Sequence, residues 1–138
     1  MPTFAYEHHH TTSACLKGLA DTGRVGALRA VEGGYVLRDP ADDRRAGLVP
    51  GPHQAVVVRG AVDSALFTAF GWGYGGEGAR GLASLLRHLG MDEAAARAFA
   101  HDDAYFPSPP AASEFGGKPG FIAYWRLSVP GWVPVRIR

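Results

Sequence analysis

The spacing of apolar residues changes several times along the chain, and each change predicts an element. Leu82, Leu85, Leu86 and Leu89 recur at helical spacing within 78–90, and Gly90 supplies a stop. Asp92 then stands where it can cap a second helix running to about Ala100, its apolar face mostly alanine with Phe99. Val56, Val57 and Val58 are contiguous and β-branched, which predicts a buried strand over 54–60. Segments 121–129 and 132–138 read as the last two strands, turned by Pro130 and Gly131. Pro134 sends the final one to a sheet edge, because proline cannot donate to a strand on its outer side.

Elsewhere the pattern is weaker. Residues 3–7 alternate as a short strand. Residues 11–23 form a short helix with Thr12 or Ser13 as cap, Cys15, Leu16 and Leu19 as face, and Gly23 as stop. Residues 24–38 read as a hairpin whose tight turn is Gly33-Gly34. Residues 39–52, with three Pro and two Gly, read as a loop. Residues 61–70 read as a strand-like segment, the alternative being a short helix capped by Asp63. Residues 102–120 carry four Pro and three Gly and read as a long loop. The sum is one α+β domain over 1–138: a small, mainly antiparallel sheet with two or three helices packed on it.

At 138 residues with 46% apolar content, the chain needs neither metal nor disulfide to fold. Fourteen basic and thirteen acidic side chains leave a formal charge of +1, which calls for neither nucleic acid nor membrane as partner. Arg126, Arg136 and Arg138 make a local basic stretch, read as solvated surface. Cys15 is the single cysteine, so no internal disulfide forms, and no run reaches about 18 apolar residues. The expected compartment is the cytoplasm. The edge strand and the aromatic 121–125 segment lead to an expected homo-oligomer.

Candidate chemistry concentrates at residues 70–81, FGWGYGGEGARG, six of which are glycine. A strand, a glycine-rich turn and a helix together can hold an anion on backbone N–H groups and a helix N-terminus. In that reading Gly75, Gly76 and Gly78 admit a phosphate, and Trp72 and Tyr74 offer faces for a base. Arg80, Ser84 and Arg87 form one stripe on the helix opposite the leucines, and the two arginines neutralise charge. Neither the Walker spacing nor the dinucleotide fingerprint is present. The competing reading makes the aromatics core residues and the glycines a sharp turn.

Residues 70–99 resemble a small uncharacterised domain family of bacteria and their phages. Its signature is Phe-x-Trp-Gly-Tyr-Gly-Gly-x-Gly-Pro leading into an apolar helix. Phe70, Trp72, Gly73, Tyr74, Gly75, Gly76 and Gly78 match, as do Leu82, Ala83 and Leu86. Ala79 departs from it, standing in the proline position. The resemblance implies kinship without an activity. Its phage association suggests a protein that sequesters a nucleotide signal of host immunity.

Other constellations are sparser. His8 and His10 fall on one side of a strand, and His53, His88 or His101 with Asp102 and Asp103 could complete a zinc site, but nothing in the sequence fixes their proximity, so no metal site is assigned. No nucleophile or carboxylate pair marks a catalytic centre, and no cofactor is expected. The leading expectation is a non-catalytic binder of a phosphate-bearing, nucleotide-derived small molecule. The alternatives are a protein–protein inhibitor or adaptor using Tyr105, Phe106 and Phe115 of the long loop, and a small nucleotide hydrolase.

Overall fold

The computed structural model describes residues 6–8, 25–105 and 108–138. Its strands are β1 (Tyr6–His8), β2 (Leu28–Leu37), β3 (His53–Gly60), β4 (Ser64–Phe67), β5 (Gly120–Ser128) and β6 (Val133–Arg136). Its helices are α1 (Pro40–Arg45), α2 (Glu77–His88) and α3 (Glu93–Ala100). The strands form one sheet in the order β1-β4-β3-β2-β5-β6, antiparallel throughout except for the parallel pair β1 and β4. This is the expected α+β architecture. The helix expected over 11–23, together with His9, His10, Cys15 and Phe106, lies outside the described residues.

Register explains the run of valines. Val56 and Val58 of β3 lie beside Gly33 and Val31 of β2 and point into the larger core. There they meet Leu82, Leu85 and Leu86 of α2 and Ala96, Phe99 and Ala100 of α3. Val57 and Ala55 face the other way, joining Val36, Leu66 and the partly buried Phe121 in a smaller cluster. A strand apolar on consecutive residues is thus buried on both faces. The larger core is organised around Trp125, whose ring meets Trp72 edge-on at 5.3 Å between centroids and Phe99 at 4.9 Å. Edge-on aromatic pairs add to the free energy of simple burial.

The residues expected to turn at Gly33-Gly34 instead form a single ten-residue strand, β2. The reason is close approach rather than turning. A Cβ on Gly33 would overlap the Trp125 indole, and one on Gly34 would overlap the Ile122 carbonyl. The register of β2 against β5 shifts at this same point. Glycine is needed where a neighbouring strand and a large ring press onto the backbone.

The expected loop over 39–52 also contains more than loop. Asp39 caps α1 by accepting the Ala41 N–H at 2.8 Å, and Pro40 opens the helix. The expected loop over 102–120 likewise carries two short 3-10 helices, Asp103–Tyr105 and Ala112–Phe115. Residues 64–67 are strand, α2 and α3 fall where the leucine spacing and the Asp92 cap place them, and β6 is the sheet edge. No helix among the described residues is long and apolar enough to cross a membrane.

Candidate functional site

The glycine run lies between β4 and α2, and the structure gives its residues unequal roles. Trp72 is fully buried, and its indole N–H donates to the Tyr105 carbonyl at 2.8 Å. The expectation that Trp72 stacks on a ligand is therefore corrected. Its two-ring surface is used by the core, and its one polar atom is already bonded. Tyr74 is different: 42% of its surface is exposed.

The Tyr74 ring folds back over the run itself. A Cβ on Gly71, Gly76 or Gly78 would collide with it. The Tyr74 ring thus occupies the Cβ side of Gly76 and Gly78, two of the residues expected to admit a phosphate. Gly75 remains open, with nothing near its missing side chain. Gly73, at φ +82, is the member of the run that needs the left-handed backbone region. Gly76 is the N-cap of α2 with φ −136, an extended conformation open to other residues.

Two hydrogen bonds fasten this run to the end of α3. The Gly73 N–H donates to the Ala100 carbonyl at 2.8 Å. His101 Nδ1 lies 2.8 Å from the Tyr74 carbonyl oxygen. A carbonyl only accepts, so Nδ1 carries a proton in this contact. The run, α2 and α3 are thereby held as one unit.

Between α2 and α3 lies a pocket of about 380 Å³. Arg80, Ser84 and Arg87 enter it from α2, and Glu93, Arg97 and His101 from α3 and its cap. The expected Arg80–Ser84–Arg87 stripe is thus real, and a second helix completes it. Three guanidinium groups face one carboxylate. Glu93 Oε1 lies 3.1 Å from Arg97 Nη2 and 3.5 Å from Arg87 Nη1. Arg80 makes no ion pair among the described residues. It sits in the first turn of α2, where the helix dipole disfavours a cation.

The sequence pattern does not single out Arg97 or Glu93, and it offers His101 only as a metal-ligand candidate. The signal was the short break at 89–92, which turns the chain back so that α3 lies against α2. A further charged cluster was also missed. Glu32, 4% exposed, is held by two strands at once. Arg59 Nε donates to Oε1, and Arg126 donates to Oε2 from Nε at 2.9 Å, with Nη2 at 2.8 Å. Arg59 Nη1 also donates to Ser64 Oγ at 3.2 Å. Reading 32–34 as a turn had hidden this buried carboxylate.

Tyr105 and Phe115 of the 102–120 segment turn inward. Tyr105 packs on Phe99 at 4.8 Å between centroids, and Phe115 lies against the core. No group of three or more potential metal ligands occurs among the described residues. Comparison with protein-family models, with curated proteins and with solved structures gave no match to this chain.

Proposed function

We propose that this protein binds a phosphate-bearing, nucleotide-derived small molecule in the α2–α3 pocket and holds it without chemical change. What supports the reading is the convergence of Arg80, Arg87 and Arg97, with Ser84 and His101, on one pocket of about 380 Å³. Three guanidinium groups against one carboxylate leave an excess of positive charge, and their planar donor forks match phosphate oxygens. Tyr74 is joined to the pocket residue His101 through its backbone carbonyl, and its ring is partly exposed. It offers a face for a base. Sequestration of a host signalling nucleotide by a phage-encoded protein is the form that the resemblance of residues 70–99 implies.

The test is to purify the protein from cells that make the candidate nucleotides, denature it, and examine the released molecules by mass spectrometry. The proposal expects an intact phosphorylated compound in stoichiometric amount. Release of nothing after saturation with nucleotide extracts, or of a cleaved product, contradicts it.

A further inference from the structure

A cavity of about 510 Å³ opens among the end of β2, the start of α1 and the 112–119 segment. Its size is within the usual range for small-molecule sites. Leu37, Pro40, Pro50 and Pro119 make apolar walls, while Arg38 and Lys118 supply positive charge. Arg38 is 8% exposed, so its guanidinium is held within the protein rather than extended into solvent. Lys118 is exposed and sits at the rim.

The wall is fixed from beneath. Gly51 lines the cavity, and its N–H donates at 3.4 Å to Oδ2 of Asp43, a carboxylate with no solvent exposure. His53 Nε2 lies 3.7 Å from the same oxygen. Asp39 also borders the cavity, but its Oδ1 accepts the Ala41 N–H as the cap of α1.

We propose that this cavity is a second binding site, for a small monocarboxylate with an apolar body. The carboxylate would lie on Arg38 and the apolar part against the prolines. A guanidinium has five N–H donors in a planar fork, so Arg38 can take a ligand carboxylate alongside its other neighbours. Proline has no backbone N–H, so Pro40, Pro50 and Pro119 give a polyphosphate little to bind. Two cations with the Asp39 carboxylate nearby suit one negative charge better than several. This site is independent of the α2–α3 pocket.

Isothermal titration with octanoate, octanol and octylamine tests the proposal, together with amide NMR spectra of the full chain. Octanoate is expected to bind saturably and to shift the Gly51, Ser113 and Gly117 amides first. Octanol and octylamine are expected to bind at least roughly tenfold more weakly, as loss of a charge-assisted contact implies. Arg38→Gln should weaken octanoate by about the same factor, and Lys118→Ala by less. Should Arg38→Gln fail to fold, the Lys118→Ala titration and the amide map still decide. Equal binding of all three probes, shifts centred on Arg80 and His101, or no octanoate binding overturns it.

Discussion

His101 Nδ1 and the Tyr74 carbonyl oxygen lie 2.8 Å apart, joining the cap of α3 to the middle of the glycine run. Through this bond the exposed aromatic and the arginine-lined pocket share one rigid support. His101→Ala should free the run from α3, while Trp72, buried separately, stays in place. The expected outcome is weaker nucleotide binding with a fold-stability loss of about 0.5–1.5 kcal/mol, the usual net contribution of one hydrogen bond. Titration and urea denaturation of the same variant measure both.

Leu86 is fully buried between α2 and the sheet. Leu86→Ala should cost about 2–5 kcal/mol, as cavity-forming changes do. Chemical denaturation checks it, and a change near zero would remove α2 from the core.

Gly33→Ala sets a Cβ against the Trp125 ring, which Trp72 and Phe99 hold in place. Overpacking of this kind costs roughly 1–3 kcal/mol. The variant should show a lower urea midpoint and altered tryptophan fluorescence. An unchanged midpoint would mean that β2 and β5 do not approach as described.

Glu114 and Arg138 give a pH dependence with a definite sign. The Arg138 guanidinium, and then the Ala111 N–H, hold the Glu114 carboxyl below its usual 4.5. A depressed folded-state value means that the unfolded chain binds the proton more readily. The stabilisation is therefore present above about pH 4.5 and is lost as pH falls through the lower folded value. Glu114→Gln should lie below the wild type in urea midpoint at neutral pH and converge with it in acid. A constant gap between the two curves would contradict the assignment.

The sequence made the elements legible where one physical signal decided them. Leucine spacing placed α2, the Asp92 side chain placed the start of α3, and the three valines placed β3. It misled where one residue type serves two purposes. Gly33-Gly34 has the composition of a turn, but its lack of side chains serves the Trp125 ring from a strand distant in sequence. The glycines at 76 and 78 suit a phosphate and a folded-back Tyr74 ring equally well by composition. Half of the candidate site was readable, because Arg80, Ser84 and Arg87 share a helix. Arg97 and His101 join them only through the packing of α3, which no local pattern encodes.

The central claim is that the α2–α3 pocket holds a phosphate through Arg80 and its neighbours. Its most direct test is calorimetric titration of wild type and Arg80→Ala with a nucleoside monophosphate and with the matching nucleoside. The wild type is expected to bind the monophosphate and not the nucleoside. Arg80→Ala should bind it roughly 10-fold to 100-fold more weakly, the range expected when a charge-assisted bond of about 1.5–3 kcal/mol is lost. The variant should keep the wild-type melting temperature or exceed it slightly, since a cation disfavoured by the helix dipole has been removed. Unchanged affinity in Arg80→Ala with a loss of more than about 1 kcal/mol in fold stability would contradict the claim and make the arginine part of the architecture.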